Sequence, residues 1–186
     1  MQRIVDRLGR PRTAMASLVV LVSVLGVVNG FDFPLSVPFV VRETGHKYLD
    51  MCAFCGSDQV EAELVGLGTR GRLLQAILLA SIDIIIPVVS CVAGVAVIAA
   101  LRRRSRDTLS RLLLLLPLLA LTLDIAENGL IVALLLGHPT PSHVVAGLEG
   151  LASGLKFLAY GTVVVTIVVL GAARLFTAVR PKEVER

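Results

Sequence analysis

The sequence predicts an all-α, polytopic membrane protein: a bundle of four transmembrane helices. Three observations carry that prediction. Of the 186 residues, 55% are hydrophobic and 17% charged, whereas soluble domains carry about a quarter charged residues. Mean hydropathy is +0.84. The apolar residues also gather into four runs with basic residues at their ends. A net charge of +4 and a pI near 9.3 would suit nucleic acid if the cations shared one domain. Here they flank apolar runs instead, which is the orientation signal of a membrane protein. Nucleic acid is therefore excluded as a partner.

Residues 1–13 form a basic arm with Arg3, Arg7, Arg10 and Arg12, and residues 14–30 form the first apolar run. A basic start before a short apolar core also describes a signal peptide. The small-residue A-x-A pattern is missing around Val28-Asn29-Gly30, so a retained first helix is expected. Residues 31–72 form a loop that opens with Pro34 and Pro38 and carries Cys52 and Cys55. Asp58-x-x-Glu61 reads as a capping box opening a short helix through Val60, Leu64 and Val65. Gly66, Gly68 and Gly71 are expected to stop that helix before the second span. A loop this long inside a small protein is expected to fold, here over the mouth of the bundle.

The second and third runs, 73–101 and 112–136, both exceed the roughly 20 residues a span requires. A basic link, 102–111, joins them. A turn at 137–143 leads to the fourth run, 144–170, and to a tail at 171–186. If four helices cross, thirteen basic residues lie on one side: four in the arm, five in the link (Arg102, Arg103, Arg104, Arg106, Arg111) and four in the tail (Arg174, Arg180, Lys182, Arg186). The other side has only Arg42, Lys47, Arg70 and Arg72, beside six acids. Both termini are expected to face the cytoplasm. Arg outnumbers Lys fifteen to three, a bias that high-GC genomes produce, so the expected setting is a bacterial inner membrane.

The third run holds thirteen Leu, two Ile and one Val, yet also Asp124, Glu127 and Asn128. An ionised side chain at a membrane-helix centre costs about 2.5–3.5 kcal/mol on the insertion scale. Each Leu, Ile or Val returns only about 0.3–0.6 kcal/mol. The segment inserts, but its polar groups need partners. They fall on one face within about 100°. In the fourth run Glu149, Ser153, Lys156 and Tyr160 form a stripe, beside a glycine stripe of Gly147, Gly150, Gly154 and Gly161 that would admit another helix backbone. In the second run Asp83, Pro87, Ser90 and Gly94 share a face. At about 1.5 Å per residue, Asp83, Asp124, Glu127 and Lys156 all lie some 14–18 Å from the same end of their spans.

That convergence makes Asp83, Asp124, Glu127, Asn128 and Lys156 the candidate catalytic site. The bland alternative is glue, with Lys156 paired to Asp83 or Asp124. Interhelical hydrogen bonds in membranes average only about 0.6 kcal/mol, a weak return for so many polar groups. One lysine also cannot neutralise three carboxyls. A protonated carboxyl near a carboxylate serves acid–base chemistry and proton relays alike. No cofactor or metal is expected: His46, His138 and His143 are too scattered to complete a zinc site with Cys52 and Cys55. CxxC-bearing thiol oxidoreductases of the DsbB and vitamin K epoxide reductase type need a second cysteine pair. The remaining cysteine is Cys91, deep in the second span. A local disulfide or free thiols is the plainer reading.

The chain resembles a set of small four-span membrane proteins. Their shared pattern is Leu-Asp-Met, a short helix ending Leu-Gly-x-x-Gly-Arg, an Asp-x3-Pro span, a Pro-x6-Asp-x2-Glu-Asn span and a lysine in the last span. Here these are Leu49-Asp50-Met51, Leu67 to Arg72, Asp83 with Pro87, Pro117 with Asp124, Glu127 and Asn128, and Lys156. Cys52 and Cys55 depart from the pattern. The resemblance implies the polar site without implying a reaction. The functional expectation is acid–base chemistry on a lipid or isoprenoid-like substrate. Glu127 or Asp124 would move the proton, Asn128 orient it, Lys156 balance charge and Asp83 complete the site. The alternatives are a small proton-coupled transporter or channel subunit, oligomeric because four helices enclose little volume, and a structural or assembly subunit. Expected partners are membrane lipids, a lipid-like substrate and further copies of the chain.

Overall fold

The computed structural model describes residues 5, 7–46, 48–102, 108–140 and 142–179. Within them the chain is helical, with no strand, and four helices are long and apolar enough to cross a membrane. Arg3, Lys47, Arg103, Arg104, Arg106, Arg180, Lys182 and Arg186, which weigh in the orientation count, lie outside the described residues.

The first span is α1, Pro11–Gly30, whose proline stands in its first turn, where the missing N–H costs nothing. The following loop contains more helix than its prolines suggested. Val37–Thr44 forms α2: the Ser36 hydroxyl accepts from Phe39 N–H at 3.2 Å, Pro38 lies in the first turn and Gly45 closes it at φ +69°. Leu49–Met51 makes one 3-10 turn and Ser57–Gly66 forms α3. The cap of α3 differs from the Asp58/Glu61 reading. Gly56 is the cap residue, its N–H donates to Gln59 Oε1 at 3.3 Å, and Asp58 lies inside the first turn.

Gly68, at φ +62°, separates α3 from α4, Gly68–Ala80. The second span therefore starts as helix at Gly68 rather than Leu73, and Gly71 is helical. It is interrupted at Ser81–Ile84 and resumes as α5, Ile85–Leu101. The break precedes Pro87 because proline is tolerated in a first turn but clashes with the carbonyl four residues back. Asp83, that fourth residue, is thereby turned out of regular helix. The third span repeats the device: α6, Thr108–Leu113, gives way to α7, Leu116–Gly137, with Pro117 in its first turn. The fourth is α8, His143–Val179.

Helix α7 packs along α8 and against α4 and α5, while α1 lies along α5. Gly94 of α5 lets Pro117 approach: a Cβ there would meet the proline ring at 3.0 Å. One apolar core joins the loop to the bundle, with Val40, Leu49, Val60 and Leu64 against Leu78, Leu79, Ile131, Leu134 and Leu135. A smaller core of Ala14, Ala96 and Val97 closes the other end. The loop is thus built into the bundle.

Candidate functional site

The five candidate residues are all buried, none more than 7% exposed. Asn128 of α7 donates from Nδ2 to Asp83 Oδ2 at 3.0 Å, joining the third span to the break in the second. Glu127 Oε2 lies 2.5 Å from Lys156 Nζ, joining the third span to the fourth. Tyr160, one turn beyond Lys156, donates its hydroxyl to Asp124 Oδ2 at 2.8 Å. These residues meet because each span turns one polar face inward, the only direction in which hydrocarbon can be avoided.

Among the described residues Lys156 pairs with neither Asp83 nor Asp124, the partners that the glue alternative gave it. Its second partner is Asp50, from the loop. Thirteen residues separate His143 from Lys156, so the loop descends about 20 Å along α8. Backbone at such depth needs partners within the protein. Leu49 N–H donates to Gln75 Oε1 at 3.4 Å, Cys52 N–H to the Leu49 carbonyl at 3.1 Å, and Phe54 N–H to the Gly150 carbonyl at 3.1 Å. Cys52 and Cys55 form a disulfide that closes this turn, and Cys91 is free and buried.

The glycine stripe of α8 also serves the loop, and among the described residues no second helix occupies it. A Cβ at Gly150 would strike the Cys55 carbonyl, and one at Gly154 would strike the Phe54 ring. Among the described residues nothing lies within contact of a Cβ at Gly147 or Gly161. Phe54 itself holds φ at +57°, a conformation costly for a bulky residue and maintained only where its surroundings enforce it.

Beside the polar groups is a cavity of about 160 Å³ lined by Leu25, Asn29, Val37, Tyr48, Asp50, Asp83, Ile86, Pro87 and Asp124. Four of these nine side chains are aliphatic and five carry oxygen. Tyr48 is 4% exposed, and its hydroxyl has no hydrogen-bond partner among the described residues. Burial, then the nearby Asp83 and Asp50 carboxylates, push the Tyr48 phenol far above its usual range, so it remains a neutral donor and acceptor. Glu127 is fully buried behind this wall. Asp50, Asp124 and Glu127 bring carboxylate oxygens within 4.8 Å of one another, a spacing that suits a cation. The Lys156 ammonium already contacts two of the three.

Asp50 and Tyr48 are the residues that sequence reasoning left out of the site. The Leu-Asp-Met motif was the signal for Asp50; Tyr48 precedes it with no signal of its own. Glu149, on the predicted stripe, is buried with neither carboxylate oxygen hydrogen-bonded among the described residues.

No protein-family model, curated protein or solved structure matches this chain.

Proposed function

We propose that this chain is a membrane-embedded enzyme that performs acid–base chemistry on a lipid or isoprenoid-like substrate. The observation that carries the reading is the cavity, where aliphatic side chains from α1, α2 and α5 face Asp83 and Asp124 across one small volume. An amphipathic molecule matches such a wall, with its apolar body on Leu25, Val37 and Ile86 and its polar atom at the carboxyls. Proton transfer needs only positioned groups of suitable acidity, so no cofactor is required.

In this reading Asp124 exchanges the proton, with the Tyr160 hydroxyl fixing its Oδ2. Asp83 is the second cavity carboxyl, held by Asn128. Glu127 is paired with Lys156 and is not among the lining residues, so in this reading it positions the site and Asp124 moves the proton. The thirteen basic residues of the arm, link and tail support a topology with both termini cytoplasmic, and the arginine bias supports a bacterial inner membrane.

A second reading, a proton-coupled transporter, is favoured by one feature: the second span is broken at Ser81–Ile84, beside Asp83. Discontinuous helices of this kind form binding sites in carriers. An untargeted lipid profile of cells lacking the chain separates the two. A species that accumulates on deletion, and disappears on rescue with wild type but not Asp124→Asn, establishes the enzyme. An unchanged profile with lost proton-linked flux establishes the carrier.

A further inference from the structure

The four carboxyls around the cavity are not equivalent. Asp50 and Glu127 share the Lys156 ammonium. Asp83 and Asp124 receive hydrogen bonds only from neutral groups, the Asn128 amide and the Tyr160 hydroxyl, and neither has an ion pair among the described residues. These two line the cavity together with Asp50, whose carboxylate is already paired with Lys156.

Among the described residues no Lys, Arg or His joins them in the wall, and Asn29 donates its amide away to the Leu25 carbonyl at 3.0 Å. An anionic head group would meet Asp83 and Asp124 at close range and in low dielectric, with the Lys156 ammonium already engaged by Asp50 and Glu127, and like charges repel strongly there. A positive group would supply what the wall lacks. The unpartnered Tyr48 hydroxyl is an independent sign that the cavity is made for a polar ligand atom. A buried hydroxyl left without a partner is costly, and this one lines the same wall.

We propose that the cavity binds a lipid-like molecule bearing a protonated amine. Its ammonium group lies between Asp83 and Asp124 and donates to the Tyr48 oxygen, while its chain runs along Leu25, Val37, Ile86 and Pro87. The inference rests on the enzyme reading above and narrows its substrate class. It disfavours phosphorylated lipids and prenyl phosphates.

The test uses the full chain in a neutral maltoside detergent with three single-chain probes of equal length: dodecylamine, dodecanol and dodecyl phosphate. Dodecylamine is expected to raise the unfolding temperature saturably, and the other two are not. In Asp83→Asn and Asp124→Asn the apparent Kd for the amine should rise at least tenfold, the equivalent of about 1.4 kcal/mol. Ile86→Trp, which fills the cavity while keeping both carboxyls, should abolish the shift and stands in if a carboxyl variant does not fold. Equal or stronger binding of dodecyl phosphate overturns the proposal. So does an amine shift that survives in all three variants.

The lipid profile keeps the two ideas apart. Specific amine binding with no lipid change on deletion removes the enzyme reading and leaves the amine site. A deletion-specific change in a neutral or anionic lipid, without amine binding, does the reverse.

Discussion

The glycine stripe of α8 gives the sharpest test of how the loop is seated. At Gly150 a methyl group would strike the Cys55 carbonyl and come within 3.1 Å of its carbon and 3.2 Å of its nitrogen. Backbone, unlike a side-chain tip, cannot swing aside. The turn closed by the disulfide would have to withdraw by about 1 Å to restore ordinary contact. Overpacking of this kind costs about 1–3 kcal/mol. The hydrogen bond from Phe54 N–H to the Gly150 carbonyl is lost or stretched, for about another 1 kcal/mol. Alanine returns about 1 kcal/mol of helix propensity. Gly150→Ala should therefore destabilise by about 1–3 kcal/mol.

For a chain of this length that is a fall of roughly 3–10 °C in Tm, read by thermal unfolding in neutral detergent. Gly147→Ala and Gly161→Ala meet open space and should be neutral or stabilising by up to about 1 kcal/mol. Gly154→Ala should fall between, because it meets the Phe54 ring, which can tilt. Reduction of the Cys52–Cys55 pair should also quicken in Gly150→Ala alone. Equal stability of Gly150→Ala and Gly147→Ala would refute the seating. Losses confined to Gly147→Ala and Gly161→Ala would make the stripe a helix–helix contact instead.

Three further outcomes follow from the site. Lys156→Met leaves Asp50 and Glu127 buried without their cation and should cost about 3–5 kcal/mol; adding Asp50→Asn should recover at least about 1 kcal/mol, read by denaturant titration in mixed micelles. Asn128→Leu removes the amide that donates to Asp83 and should cost about 1.5–3 kcal/mol, whereas Asn128→Gln should retain part of it in the same titration. Cys52→Ser with Cys55→Ser opens a very short loop and should cost about 2 kcal/mol. Limited proteolysis should then cut within residues 52–56 faster than in the wild type, and an unchanged rate would mean that the turn is held by Gly150 and Lys156 alone.

Much of this architecture is legible in the sequence because hydrocarbon imposes a simple rule. A helix in lipid cannot hide a carboxylate on its outer face, so Asp124, Glu127 and Asn128 had to point inward. Pro87 and Pro117 mark the two breaks, although each break falls two to six residues earlier, where proline's first-turn preference places it. The loop is less legible. Pro34 and Pro38 read as loop punctuation, but Ser36 with Pro38 is equally a helix start, and only the buried Val40 decides between them. Periodicity gives a helical residue its face and depth; it gives a loop residue neither. Nothing in Leu49-Asp50-Met51 says that this acid travels about 20 Å along a neighbouring helix. Span periodicity offers Lys156 only the acids of the spans, and its partners are one acid of the third span and one of the loop.

That pairing divides the site into two halves with different consequences. In the first half a lysine, a loop acid and a span acid form one buried ionic cluster. Its members neutralise one another in part and fix the descent of the loop. In the second half two carboxyls are held by an amide and a phenol beside an open volume. Hydrogen bonds from neutral donors fix a carboxyl in place without cancelling its charge, so these two keep their capacity to exchange a proton or attract a cation. A site that served only as glue would have no reason to leave two carboxyls unmatched next to a cavity, since each is costly in so dry a setting. The asymmetry between the lysine-bound acids and the two cavity acids without an ion pair among the described residues is the physical reason for looking for a ligand at Asp83 and Asp124, whereas Asp50, which also lines the cavity, is occupied by Lys156.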